Sequence, residues 1–302
     1  LLRLSGYVCV TGSLLIESKF LRSLDGLEHL THVGGDLLIR NTAVKDLDGL
    51  SGLNTVGGTV RIEGNWALRE IDSLTGFAQT VKEIIIGRND WSMEGEPLKH
   101  LGGLSSLTMI GKDLLVGDNC ALKNLRGMEK LARINGNLSI WANDSLKNLR
   151  GLSSLVSVGG HIELWGNPAL ENCHGLGNLA SIGGDLTIGL SGYGNDSLTS
   201  VDGVESLMSI VGNLTILGNP LLTNLNGLIG LANVGGDLRI VHNNALQGLD
   251  GLSNLSRLGG SQAQIENNRI LARRDAEDLG RHLTRHGFVG NLHIASNSDG
   301  VS

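Results

Sequence analysis

Residues 234–257 read VGGDLRIVHNNALQGLDGLSNLSR, and this 24-residue pattern decides the fold. Residues 134–157, 158–181 and 210–233 repeat it without gaps, the second of them as VGGHIELWGNPALENCHGLGNLAS. A self-similarity of this length is typical of repeat proteins, in which each repeat buries its apolar side against its neighbours. Further copies of 23 to 29 residues begin at Val10, Val33, Val56, Val81, Ile110 and, with a four-residue insertion, Ile182.

Each repeat combines a short strand with a polar corner. The G-x-L-x-I-x stretch alternates apolar and polar residues, as a strand buried on one side does. An asparagine follows three positions after the last strand hydrophobe, where it can bond its own backbone and tolerates left-handed dihedral angles. Stacked in register, these side chains would form an internal ladder that satisfies the backbone at every turn. The predicted ladder residues are Asn65, Asn89, Asn119, Asn143, Asn167, Asn195, Asn219 and Asn243.

The second half of the repeat, L-x-x-L-x-G-L, predicts bends rather than helices. A glycine near its middle, as at Gly227 and Gly251, would cost an isolated helix about 1 kcal/mol, so strands, turns and short 3₁₀ pieces are favoured over the helices of ordinary leucine-rich repeats. The sequence therefore predicts a mainly β protein, a right-handed parallel β-solenoid of about 11 coils with a capping helix at its C-terminal end.

The pattern predicts a single solenoid domain over residues 1–302. Its parts are a lead-in at 1–9, ten repeats at 10–257, a degenerate coil at 258–270, a capping helix at 271–286, and a final strand and tail at 287–302. In the helix, Ala272, Ala276, Leu279 and Leu283 share one helical stripe. Because the chain begins at Leu1 almost directly on the first coil, we expect preceding residues, or another chain or domain, to cover that end.

Composition excludes several classes of protein. Of 302 residues, 45 are glycine and only nine are aromatic, while 40% are hydrophobic, so Leu, Ile and Val must fill the core of an ordered chain. No apolar run approaches the length of a membrane helix, and the net charge of −6 argues against nucleic-acid binding. Three cysteines offer no disulfide framework, and no cofactor or metal motif is recognisable.

The repeats resemble the receptor L domain family. The strings GGDLLIRN (34–41), LDGLSGLNTVGG (47–58) and GGDLRIVHNNALQGLDGL (235–252) are similar to the β-helical ligand-binding lobes of insulin- and growth-factor-type receptors, and to repeats of fungal cell-wall and bacterial surface proteins. Residues 265–297 are similar to the cap of such surface proteins, although Arg273 and Arg274 stand where that cap often has a cysteine. The resemblance implies an extracellular or surface-anchored chain that binds proteins or glycans.

Outward strand positions are the candidate partner-binding residues. Trp141 and Trp165 are 24 residues apart, which predicts an exposed pair on neighbouring strands, and Leu217 and Val241 continue their row across Gly189. The alternative is a pair covered by the insertion at 191–196. The neighbouring outward rows carry two further candidates, His161 and Glu163.

The Asp and Asn residues beside the glycines, among them Asp36, Asp113, Asp185 and Asp237, favour a role in turn geometry. His161 beside Asp185 is the nearest approach to an acid–base pair, but no nucleophile accompanies it. Of five N-x-S/T sequons, Asn195 and Asn254 lie at corners and are the candidate glycosylation sites.

Three functions therefore stand at the level of sequence. The leading hypothesis is a non-enzymatic extracellular or cell-surface recognition or adhesion module for a protein or glycan. The alternative is a structural subunit of a surface layer, sheath or filament formed by self-association. A polysaccharide-cleaving enzyme is the third, because parallel β-helices include such enzymes.

Overall fold

The computed structural model describes residues 6–77, 80–89, 97–295 and 297–298. The chain divides into two compact units, a first unit of Leu1–Leu146 with Arg150–Leu155 and a second unit of Lys147–Leu149 with Val156–Ser302. Both consist of stacked coils, so the predicted mainly β, parallel solenoid is confirmed. The single domain over residues 1–302 stays a prediction.

The first unit contains six coils, each with a short strand followed by a longer one. The longer strands pair in parallel in chain order, and the shorter ones form two parallel groups, β1-β3-β5 and β7-β9-β11. The short strands are β1 (Cys9–Val10), β3 (His32–Val33), β5 (Thr55–Val56), β7 (Thr80–Val81), β9 (Met109–Ile110) and β11 (Arg133–Ile134). The longer strands are β2 (Leu14–Glu17), β4 (Leu37–Arg40), β6 (Thr59–Glu63), β8 (Glu83–Gly87), β10 (Leu114–Gly117) and β12 (Leu138–Trp141).

The second unit repeats this arrangement and adds a helix and a last strand. Its sheets are parallel, with the order β13-β15-β17-β19-β21 for the short strands and β14-β16-β18-β20-β22-β23 for the longer ones. The short strands are β13 (Ser157–Val158), β15 (Ser181–Ile182), β17 (Ser209–Ile210), β19 (Asn233–Val234) and β21 (Arg257–Leu258). The longer strands are β14 (Ile162–Trp165), β16 (Leu186–Ile188), β18 (Leu214–Leu217), β20 (Leu238–Val241), β22 (Gln262–Glu266) and β23 (Asn291–Ala295).

The predicted bends contain short 3₁₀ helices. Those of the first unit are Asp48–Leu50, Asp72–Gly76 and Gly102–Leu104, and those of the second are Asn226–Leu228 and Asp250–Leu252. Glycine is required here by close approach between coils. A Cβ added at Gly251 would lie 1.8 Å from the Leu225 carbonyl oxygen, and one at Gly49 would lie 2.1 Å from that of Leu24.

The capping helix forms where the sequence predicts it. Helix α1 spans Arg273–Arg285 and buries Ala276, Leu279 and Leu283 of the predicted stripe. Gly280 lets the helix approach β23, because a Cβ there would lie 2.3 Å from Leu292 Cδ2. In the described part of the chain, no helix combines the length and the apolar character needed to cross a membrane.

Within each unit, buried asparagines join one coil to the next, as predicted. Every predicted ladder residue is fully buried. Asn219 is typical: its Nδ2 donates to Ile188 O at 3.0 Å and to Asn243 Oδ1 at 3.2 Å, and its own Oδ1 accepts from the backbone N–H of Asn195 at 3.1 Å. The side chain of Asn219 thus donates both to a backbone carbonyl of the preceding coil and to the side-chain oxygen of the next asparagine.

The ladder is longer than the sequence pattern indicated. Asn268 continues it from Asn243, and Asn297 accepts from Asn268 at 3.1 Å. In the first unit it begins at Thr42, whose hydroxyl donates to Asn65 Oδ1 at 2.7 Å. Thr42, Asn268 and Asn297 each follow the last strand hydrophobe by three residues, so the spacing rule used for the other ladder residues would have identified them.

The left-handed dihedral angles of the corner fall on the residue before the ladder asparagine. This holds for seven of the eight predicted ladder positions, and Asn195, which follows Gly194, is the exception. Examples are Arg88 at φ 56° and His242 at φ 58°, with Gly64 and Gly218 at the same place in other coils. None of the ladder asparagines has a positive φ, and the backbone N–H of Asn219 donates to Asn243 Oδ1 of the next coil at 3.1 Å.

We predict that Asn219→Ala destabilises the chain by about 3 kcal/mol or more. The change leaves the Ile188 carbonyl and the Asn195 N–H buried without their partners, at about 1–3 kcal/mol each. Urea unfolding followed by circular dichroism measures the effect. Asn226→Ala is the matched control, since Asn226 is exposed, and it should change stability by less than about 0.5 kcal/mol. Equal stability of the two variants would contradict the ladder's role.

We also predict that Cys173 is unreactive in the folded chain. It replaces a core leucine and is fully buried, as expected, and burial raises the pKa of its thiol from 9.0 to about 12. The stabilising contribution of the neutral thiol is therefore complete below pH 9 and is lost as the pH rises toward 12. Iodoacetamide at pH 8 should alkylate the exposed Cys9, and Cys173 only in urea. Native labelling of Cys173 at the rate of Cys9 would show that the site opens.

Candidate binding surface

The second unit presents an aromatic side chain at the end of strand β14. Glu163 and Trp165 both point outward from this strand, where Glu163 is exposed and Trp165 is half-buried. Beside them, on β16, Glu163 is in register with Thr187. The outward direction predicted for these side chains is confirmed, and they place a polar and an aromatic side chain on the same face of the strand.

The insertion packs its own aromatic ring against Trp165. The rings of Trp165 and Tyr193 meet edge to face, with centroids 6.2 Å apart and an interplanar angle of 68°. This contact is the alternative that the sequence left open, in which the loop at 191–196 covers the tryptophan. The cover is itself apolar and accessible, since Tyr193 is 62% and Leu190 is 42% exposed. We call Trp165, Leu190 and Tyr193 the aromatic cluster.

The turn that carries this cluster is held on several sides. Tyr193 N donates to Leu190 O at 2.9 Å, and Leu190 N donates back to Tyr193 O at 3.2 Å. Gly166 N donates to Tyr193 O at 2.9 Å, which joins the turn to the preceding coil. A Cβ at Gly194 would lie 1.7 Å from the Gly218 carbonyl oxygen of the following coil, so the turn lies tightly against both neighbours. The cluster is therefore preorganised.

Two candidates of the tryptophan row are not accessible. Leu217 is 5% and Val241 is 1% exposed, so the prediction that they extend an outward row is wrong. Leu217 pairs in register with Val241 on the adjacent strand, so the two side chains lie side by side. Neither residue offers surface to a partner.

Trp141 belongs to the first unit and lies across its neighbouring coil. A Cβ at Gly117 would lie 2.1 Å from Trp141 Cε2, so the indole occupies the space that this glycine leaves empty. Gly117 is in register with Trp141 on the adjacent strand, and the indole is half-buried. The predicted pairing of Trp141 with Trp165 stays a prediction.

His161 and Asp185 are brought together, but as part of a second ladder. Asp185 N donates to His161 Nδ1 at 2.9 Å, and Asp185 Oδ1 accepts from Asn213 N at 2.6 Å. The same bond recurs where Asp36 accepts from Thr59 N and where Asp237 accepts from Gln262 N. The predicted role of this row in turn geometry is confirmed, and His161 fills a place that other coils give to Asp or Asn.

The two candidate glycosylation sites differ in accessibility. Asn195 is fully buried in the ladder, with its Nδ2 donating to Leu164 O at 3.0 Å, so the expectation that it accepts a glycan is wrong. Asn254 is exposed and stays a prediction. The insertion displaced Asn195 in the sequence without removing it from the ladder.

These features define a leucine-rich-repeat-like β-solenoid with one ordered apolar projection on its second unit. No protein-family model matches the sequence, and no curated protein matches it. Membership of the receptor L domain family therefore stays a prediction. Among solved structures, an internalin from Listeria monocytogenes is similar over 97% of this chain and 87% of its own, with 17% identity and a TM-score of 0.40. A similarity at this level does not bear on what this chain binds.

We predict that Gly117→Val destabilises the first unit by about 1–3 kcal/mol, because its side chain must displace the Trp141 indole. Thermal unfolding measures this effect, and the cost should be smaller in a Trp141→Ala background. Gly248→Val serves as the control, since no atom lies within 4 Å of a Cβ built at Gly248. An equal cost of Gly117→Val in both backgrounds would show that the indole is not the obstacle.

Proposed function

We propose that this chain is a non-enzymatic recognition or adhesion module that binds a protein partner through the aromatic cluster of its second unit. The observation that carries the proposal is the insertion turn, which exposes Tyr193 and Leu190, bonds its backbone to the preceding coil and packs Gly194 against the following one. Other repeats complete the coil without this insertion, so the fold itself does not require it.

The composition of the cluster suits a protein interface. Tyrosine and tryptophan are enriched in interface cores, where they bury a large area while losing little side-chain entropy. A turn that is already ordered adds little further entropy cost on binding. Exposed Glu163 and half-buried Thr187, beside Trp165, would supply a polar rim, which is the usual surround of such a core.

The proposal includes an extracellular or cell-surface location. It is supported by the resemblance of the repeats to receptor L domains and to microbial surface proteins. The non-enzymatic part of the proposal is supported by the candidate acid–base pair, His161 and Asp185, whose side chains bond successive coils in the second ladder. The following test can also identify a glycan as the ligand of this surface, or a second copy of the chain as its partner.

The double variant Leu190→Ala/Tyr193→Ala should weaken partner binding at least tenfold, about 1.4 kcal/mol or more, because it removes the exposed part of the cluster and keeps the turn. A partner identified by capture from surface extracts is purified, and its Kd is measured by calorimetry with the native chain and each variant.

The control is Met208→Ala/Val211→Ala, which removes two side chains that are 59% and 63% exposed beside β17, in the other sheet of the same unit. It should bind like the native chain. Equal losses in both variants, or none in either, would contradict the proposal. Light scattering across a dilution series distinguishes self-association from binding of a different protein. If the native chain forms a dimer and only the cluster variant does not, the partner is a second copy of this chain.

A further inference from the structure

The first unit carries one exposed cation at the same register of five successive coils. Each cation follows an aliphatic residue of its coil, which is fully buried in four of the five, as at Val44 and Leu68. Backbone bonds show the shared register at two of the junctions, because Arg69 N donates to Lys45 O at 2.9 Å and Lys123 N donates to Lys99 O at 3.4 Å. The repeat pattern places Arg22 at the same position of its coil. The members of this cation stripe are Arg22, Lys45, Arg69, Lys99 and Lys123, all exposed.

The fold does not require a cation at this register. In the second unit the same position is occupied by Lys147, Glu171, Thr199, Thr223 and Gln247, in coils of the same design. Like charges on neighbouring coils repel one another, so a run of five works against the stability of the coil stack. The run also stands out in a chain whose net charge is −6. Binding of an anionic ligand would offset this repulsion.

Four members of the stripe form no ion pair with any of the described residues. Among the described residues, no carboxylate lies within the 4 Å of an ion pair from the charged groups of Arg22, Lys45, Arg69 or Lys123. Nearby carboxylates are engaged elsewhere: Asp46 accepts from Asp48 N at 3.2 Å, and Asp72 lies 3.3 Å from His100. Glu70, next to Arg69, is exposed and marks one edge of the stripe.

We propose that this cation stripe binds a linear anionic polysaccharide, with one sulfate or carboxylate facing each coil. Coils repeat about every 4.8 Å, so five cations span about 19 Å in a line one side chain wide. An extended polysaccharide can follow such a line, whereas the phosphates of a nucleic-acid duplex wind away from it. A flat anionic membrane would also meet the acidic residues Asp46 and Glu70 beside the line.

A flat apolar side chain lies on the same coil as the middle of the stripe. Trp66 precedes Arg69 by three residues and is 36% exposed. The C–H face of a pyranose ring packs well on an indole, so Trp66 would add a contact that does not depend on salt. This surface is separate from the aromatic cluster, and the inference does not rest on the proposed protein-binding function.

The test uses the full chain and heparin as the probe, with binding measured by calorimetry at several salt concentrations. The native chain should bind, and its affinity should fall steeply with salt. The triple variant Lys45→Gln/Arg69→Gln/Lys123→Gln should lose about tenfold or more in affinity and should flatten the salt dependence, because it removes three of the five cations. Trp66→Ala should weaken binding without changing the salt slope.

The matched control is Lys82→Gln/Lys112→Gln/Arg133→Gln, which removes three exposed cations of the same unit beside the short strands. It should bind heparin within about twofold of the native chain. Leu190→Ala/Tyr193→Ala should also bind heparin normally, which separates this inference from the proposed function. Circular dichroism checks that each variant is folded.

Three results would overturn the proposal. The first is absence of heparin binding by the native chain at low salt. The second is an equal loss in the stripe and control variants, which would indicate unspecific attraction. The third is equally tight, stripe-dependent binding of duplex DNA or of phosphatidylserine vesicles, which would assign the stripe to a different class of ligand.

Discussion

The structure depends on a buried hydrogen bond between side-chain amides of successive coils. A solenoid corner has no helix or hairpin of its own to satisfy its backbone, and each asparagine supplies the missing donor and acceptor. Inside the core, where the dielectric constant is low, such an amide is stabilising only when all its partners are present. The bond from Asn219 to Asn243 and its counterparts therefore fix how each coil lies on the next.

Because the register is fixed, residues at the same position of successive repeats lie next to one another on the surface. Since every coil aligns with its neighbour, one exposed residue per repeat becomes a continuous line of side chains. The cation stripe of the first unit arises in this way from residues 23 to 30 positions apart. The same register in the second unit carries Thr199 and Thr223, so the coil accepts different exposed side chains at this position while its buried residues keep the same pattern.

The aromatic cluster arises in a different way, from an insertion within one coil. Four added residues leave Asn195 in the ladder and project Tyr193 from the coil, so the extra chain changes only the surface. Glycines on both sides make this possible, because Gly194 lies against the Gly218 carbonyl of the following coil. A local change of length thus adds a candidate interface without disturbing the stack.

The sequence by itself determined the repeat, the parallel coils, the ladder and the capping helix, because strand alternation and the asparagine spacing are local patterns that every coil repeats. Only the tertiary structure decided which residues next to the corner are accessible. Leu217 and Val241 alternate as outward residues, yet both are buried where they pair in register on adjacent strands. Trp141 lies across Gly117, and Tyr193 joins Trp165, for the same reason: exposure depends on what the adjacent coil contributes, which no single repeat contains.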